Sequence, residues 1–190
     1  MEINEIIART DNLTVVVQAK RRVLIDRARQ CAHLPGDMAE LGVFCGGSAL
    51  AIALAAPEKF IYLYDTFTGL PSDDLPEYSM FREEVHKGRF TASIESVKLA
   101  MRGRNGVLRP GIFPKTAVDT PYCFVHVDAD LYTSTRDAIA FFWPRLVPGG
   151  IMVFDDYKWP SCPGVQRAIE EASLPVEITE QFQCEARKPE

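Results

Sequence analysis

Hydrophobic residues in this chain fall in short runs separated by stretches with helical spacing. Residues 38–44 (MAELGVF), 60–64 (FIYLY), 107–108, 122–127 (YCFVHV) and 151–154 (IMVF) read as strands, and they lack the alternation of a half-exposed sheet. Residues 49–56, 93–101, 133–146 and 163–172 read as helices between them. Ser48 is expected to cap the first of these and Pro57 to stop it. Near the amino end, Thr10, Asp11 and Asn12 offer caps for a helix with the stripe Leu13, Val16, Val17, Val23, Leu24 and Ala28. Residues 1–33 are thus an N-terminal helical segment, closed by the turn at 34–37. A turn at 148–150 (PGG) precedes the strand 151–154, and residues 176–179 and 182–187 suit a closing antiparallel hairpin.

Strands that alternate with helices predict an α/β fold, doubly wound, with a mostly parallel sheet covered on both faces. With no internal repeat and no linker, the whole of 1–190 reads as one domain. Residues 66–92 are polar, with Gly69, Pro71, Pro76 and Gly88, and read as a lid loop.

In such sheets ligands bind beyond the carboxyl ends of the strands. That rule puts residues 40–48, Asp65, Gly111, Asp128, Asp155 and Asp156 on one rim. The first turn reads E-L-G-V-F-C-G-G-S. Aligned with the dinucleotide fingerprint on Gly42 and Gly47, its middle position is Phe44, whose bulk keeps the backbone from a pyrophosphate. This disfavours a nicotinamide-dependent oxidoreductase and favours S-adenosylmethionine (SAM), which has no diphosphate. Its carboxylate suits the helix N-terminus at Gly46, Gly47 and Ser48, and Asp65 is placed for the ribose hydroxyls. The expected cofactor contacts are Glu40, Gly42, Cys45, Gly46, Gly47, Ser48, Asp65, Thr66, Phe67, Gly111 and Asp128. The alternative is that Gly42, Gly46 and Gly47 simply permit a tight turn.

The strand 151–154 runs straight into Asp155 and Asp156, while Asp128 and Asp130 follow 122–127. Clustered like charges cost stability unless something positive lies between them. A hard cation such as Mg²⁺, held by Asp128, Asp155 and Asp156, is the simplest compensation. The alternatives are capping roles for Asp130, before residue 133, and for Asp155 and Asp156. For His126 the alternative to ligation is a satisfied place at the core's edge.

Composition removes other classes. The chain is 47% hydrophobic and 25% charged, with a net charge of -5, which argues against a nucleic-acid partner. Its basic concentration, Lys20, Arg21 and Arg22 with Arg27 and Arg29, reads as a solvated helix face. Five cysteines without a C-x-x-C pair suit reduced thiols in the cytoplasm. The first residues, acidic and without an apolar core, are not a signal peptide, and no run is long enough for a membrane span.

Several segments carry a family likeness: LPGDMAELGVFCGGSA, YDTFTGLP, GRFTASIESVK, HVDADLYTSTRDA and WPRLVPGGIMVFDDY. They span roughly residues 34–170, and the D-x-D-L-Y and P-G-G-x-x-x-x-D-D-Y blocks are the specific part. The chain resembles the TylF-type (macrocin O-methyltransferase) family of class I SAM-dependent methyltransferases. The resemblance implies a Rossmann-like seven-stranded sheet, SAM, Mg²⁺ on Asp128, Asp155 and Asp156, and Asp128 as general base. It also implies a small-molecule hydroxyl acceptor, such as a sugar or other diol, and a possible homodimer. Cys45 stands where that family usually has Arg. The turn also resembles catechol O-methyltransferases, so an aromatic acceptor and a non-catalytic SAM-binding module are the rival readings.

Overall fold

A computed structural model of the chain describes residues 1–71 and 90–190. Its core is a seven-stranded sheet in the order β3-β2-β1-β4-β5-β7-β6. The strands are β1 (Asp37–Leu41), β2 (Ile61–Asp65), β3 (Gly106–Pro110), β4 (Tyr122–Val127), β5 (Leu146–Asp155), β6 (Val176–Glu180) and β7 (Gln183–Arg187). From β3 to β5 the pairing is parallel, whereas β7 runs antiparallel to β5 and β6 antiparallel to β7. Every residue of β4 is buried, as expected of a strand covered on both faces, although His126 interrupts its apolar run.

Two apolar layers cover the sheet. Helices α1 (Ile3–Thr10), α2 (Gln18–Cys31) and α3 (Gly47–Ala55) bury Ile6, Leu24, Ile25 and Ile52 with Met38 and Phe124 on one face. Of α3, only Ala55 is not buried, which explains a sequence apolar all round. On the other face α5 (Tyr132–Phe142) and α6 (Pro163–Glu171) bury Ile139, Phe142, Val165 and Ile169 against Val125, Met152 and Phe154. A short α4 (Ile94–Ala100) leads into β3, capped by Ser93, which accepts from the Ser96 N–H.

The chain moves outward from β1 through β2 to β3, then crosses back to place β4 on the other side of β1. The order therefore reverses between β1 and β4, the place where such sheets open a crevice. There the backbones nearly touch. Gly42 has φ +90°, and a Cβ on it would lie 1.8 Å from the Asp128 carbonyl oxygen. The Asp128 N–H donates to the Leu41 carbonyl at 2.8 Å, which locks the two strand ends together.

Several expectations are corrected. The amino end is two helices, not one beginning at 10–12: a 3₁₀ turn at Asp11–Leu13 and an extended stretch separate α1 from α2. Val17 is 59% exposed accordingly. Of the basic segment, Lys20 and Arg21 are buried rather than solvated, whereas Arg22 is exposed. Arg21 donates to the carbonyls of Val16 and Ile7 and to Thr10 Oγ1, and pairs with Asp11, tying α1 to α2. Ser48 does not cap α3; Gly46, at φ +87°, holds that position without a side-chain bond. Residues 148–150 lie within β5 rather than in a turn before it. Of the expected lid loop, residues 72–89, with Tyr78 and Phe81, lie outside the described part. The closing hairpin is present as β6 and β7.

The strand-end contact gives a direct test. Gly42→Ala should cost at least about 3 kcal/mol in urea unfolding, because both backbone strain and a main-chain clash oppose it. Gly103→Ala, also at positive φ (+73°) but with nothing within 4 Å of its Cβ, should cost only about 1 kcal/mol. Equal costs would mean that the approach of Asp128 to Gly42 does not constrain the fold.

Candidate functional site

A cleft of about 1020 Å³ opens at the switch point, along the carboxyl ends of the parallel strands. Gly42, Phe44, Asp65, Thr66 and Gly111 line one half, and Asp128, Asp130, Asp155 and Asp156 line the other. Val15, Val16 and Lys20 close one side, from the start of α2 and the stretch before it. Trp159 and Phe182 form an edge-to-face pair, with ring centroids 4.5 Å apart, at the rim of the acidic half.

In the first half Asp65 organises the turns. One carboxylate oxygen accepts from the N–H groups of Val43 and Phe44 at 2.8 and 2.9 Å, and the other from the Phe67 N–H at 2.7 Å. Phe44 is thereby held at φ +48° with its ring against Phe90, edge to face at 5.8 Å. Asp65 thus has a structural duty that the ribose expectation did not include.

The structure does not bring every expected cofactor contact to the cleft wall. Glu40, Cys45, Gly46, Gly47, Ser48 and Phe67 are absent from its described lining. Glu40 is fully buried within the sheet and Phe67 packs into the core. The Leu13 carbonyl packs close to the Gly47 Cα, and a Cβ there would meet it at 2.7 Å. Leu70, Phe90 and Trp159 reach the cleft, whereas Tyr157 is buried and the Tyr132 hydroxyl donates to Glu171.

The acidic half is a chain of alternating charges. Glu40 Oε1 lies 2.8 Å from His126 Nδ1, and both side chains are fully buried, side by side on β1 and β4. His126 Nε2 faces Asp155 Oδ1 at 3.7 Å, too long for a hydrogen bond. Asp155 Oδ1 accepts from Gln183 Nε2 at 2.7 Å, and its Oδ2 takes the Lys20 ammonium at 3.4 Å. Lys20 also reaches Asp156 Oδ1 at 3.7 Å. Asp156 in turn shares a hydrogen bond with Asp130, which accepts from the Cys162 thiol. Lys20 therefore places a positive charge against both adjacent carboxylates at the end of β5.

Protonation follows from this arrangement. Burial opposes a charge on His126, but Asp155 and Glu40 outweigh it and raise its pKa to about 10, so it is an imidazolium. Burial also opposes the charge on Asp155, but His126, Lys20 and Gln183 hold that carboxyl below its ordinary range. Asp128 is pushed well above that range by burial and by the Asp155 charge, partly offset by His126. Burial and Asp156 push Asp130 up to about 8. Asp130 is accordingly the acid that donates to Asp156, and it does not cap α5, whose N-cap is Leu131 without a side-chain bond.

Metal-ligating atoms gather in two sets among the described residues, each with all its atoms within 4.8 Å of one another: His126 with Asp128 and Asp155, and Asp130 with Asp156 and Cys162. Asp128 and Asp155 thus meet as expected, while Asp156 falls in the neighbouring set and is linked to them through Lys20. Sequence reasoning missed Lys20, although the buried stripe Leu24, Ala28 and Cys31, extended back by four and three residues from Leu24, arrives at Lys20 and Arg21.

The sheet order, its antiparallel finish and the cleft at the switch point define the class I SAM-methyltransferase fold. The solved O-methyltransferase NovP superposes with a TM-score of 0.75 at 21% identity, covering 94% of this chain and 83% of its own. Calicheamicin methyltransferase CalS11 does so with a TM-score of 0.75 at 21% identity, over 92% and 80%. The chain belongs to the macrocin-O-methyltransferase (TylF) family, whose model matches residues 13–183. It is 32% identical, over 81% of its length, to the 8-demethyl-8-(2,3-dimethoxy-α-L-rhamnosyl)-tetracenomycin-C 4'-O-methyltransferase of Streptomyces olivaceus. It is 28% identical, over 68% of its length, to the mycinamicin III 3''-O-methyltransferase of Micromonospora griseorubida. The match spans 62% and 58% of those relatives' lengths. No helix among the described residues is long and apolar enough to cross a membrane.

The shared proton predicts a pH dependence. Between the ordinary carboxylate value of about 3.9 and the folded value of about 8, folded Asp130 keeps a proton that the unfolded chain has lost. Its contribution therefore makes stability fall as pH rises through that window. In chelator, Asp130→Asn, which keeps a donor to Asp156, should flatten the fall in melting temperature between pH 4 and 8. The fall above pH 7 that comes from His126 should remain. An unchanged profile would show that Asp130 does not carry the proton.

Proposed function

We propose that the chain methylates a hydroxyl of a small oxygen-rich natural product, such as a glycoside, using SAM and a divalent cation. The observation that carries this reading is one cleft that joins the Gly42–Asp65 half to a rim of clustered carboxylates, in a chain of the TylF family. The relatives' names, a rhamnosyl-tetracenomycin 4'- and a mycinamicin 3''-O-methyltransferase, favour a sugar hydroxyl over a catechol.

The donor set suits a hard cation. Its oxygens come from Asp128 and Asp155, with atoms within 4.8 Å of each other, and from the adjoining Asp156. Asp128, Asp155 and Asp156 would hold the ion. When bound, it supplies charge stabilisation that lowers the pKa of an acceptor hydroxyl.

The protein's own groups do the rest. Asp128 takes the hydroxyl proton, and burial together with the Asp155 charge raises that carboxyl's affinity for it. The acceptor oxygen bonds to the methyl carbon as the carbon–sulfur bond breaks, leaving S-adenosylhomocysteine. Gly42, Phe44 and Gly111 shape the donor's side of the cleft, and Trp159 with Phe182 offers an aromatic wall to the acceptor. Holding oxygen and methyl in near-attack geometry supplies much of the rate.

Incubation with SAM, Mg²⁺ and a panel of deoxysugar-bearing natural products, read by mass spectrometry, should yield a monomethylated product. Asp128→Asn should lower kcat by about 10²- to 10⁴-fold with SAM affinity kept. Wild-type turnover by Asp128→Asn would refute its role as base, and full turnover in chelator would refute the cation.

A further inference from the structure

We propose that Lys20 is a tethered counter-cation of the acidic site: its ammonium and a divalent ion compete for Asp155 and Asp156, so that ion binding expels Lys20 into the cleft. The inference rests on the divalent-cation reading of the same site and adds to it a residue outside the expected ligand set.

Three observations carry it. First, the Lys20 ammonium contacts both carboxylates that end β5, at 3.4 Å and 3.7 Å. Second, Lys20 is only 9% exposed although it sits in a run of basic residues, and it is the neighbouring Arg21, not Lys20, that ties α1 to α2. The position of α2 thus does not depend on the lysine head group. Third, Asp155 and Asp156 are the partners of its ammonium among the described residues, and Lys20 itself lines the cleft. Departure from the carboxylates therefore breaks no other polar contact, and open space receives the flexible stem.

The charges decide the sign. A divalent ion on Asp155 and Asp156 would lie within a few ångströms of a fixed monovalent cation, and repulsion at that distance in a partly buried site is large. Both cannot be held by the same oxygens. The free protein keeps its acidic site compensated from within, and ion binding includes the work of moving Lys20 aside.

The test is Mn²⁺ affinity by calorimetry on wild type, Lys20→Met and Lys20→Arg, without substrate. Removing the competing charge should tighten Mn²⁺ binding at least about tenfold in Lys20→Met, and Lys20→Arg should stay near wild type. Wild-type protein supplies a second readout, should Lys20→Met fold poorly. Lys20 acylation by an amine-reactive reagent, followed by peptide mass spectrometry, should rise when Mn²⁺ saturates the site. Equal or weaker affinity in Lys20→Met, or labelling that Mn²⁺ leaves unchanged, would overturn the proposal. If wild type binds Mn²⁺ while Lys20→Met shows no gain, the failure is this inference's alone. If no variant binds the ion and product forms in chelator, the cation reading has failed with it.

Discussion

A buried alternation of charge governs this molecule: Glu40, His126, Asp155, Lys20 and Asp156, in contact one after another across β1, β4, β5 and α2. Each carboxylate would be costly to bury alone, and each has a cation beside it. The carboxyls with the least compensation, Asp128 and Asp130, are pushed up by burial and their neighbours' charges, Asp130 to about 8. The site is therefore charged and protonated in a pattern set by contacts, not by the ordinary acidity of aspartate. It stands ready to exchange its internal cations and protons for an external ion.

The backbone fixes where this happens. The reversal of strand order between β1 and β4 opens the cleft, and the approach of Gly42 to the Asp128 carbonyl brings the donor half and the acidic half to the same edge. Asp65 then spends both oxygens on the turns after β1 and β2. Its carboxylate shapes the cleft wall by holding Val43, Phe44 and Phe67 rather than by standing free.

Much of this was legible in the chain. The run Tyr122–Val127, apolar except for His126, matches β4 residue for residue, and the strand-ending acids Asp128, Asp155 and Asp156 do line one cleft. What the sequence hid has physical causes. The separate α1 escapes the pattern because the apolar stripe runs through Val17, which is exposed, and past the break at Asp11–Leu13. Lys20 was read as solvated because local composition suggests a wet face, whereas its partners lie 135 and 136 positions away in the chain. Long-range contacts of this kind leave no local periodicity.

Calorimetric titration of Mg²⁺ at pH 7, in buffers of differing ionisation enthalpy, measures most directly whether the acidic rim is a protonated, internally compensated ion site. Ligands must shed their protons to bind a metal, so the account predicts that ion binding releases protons, with a heat that changes from buffer to buffer. Ion binding with no proton released, identical in every buffer, would contradict it.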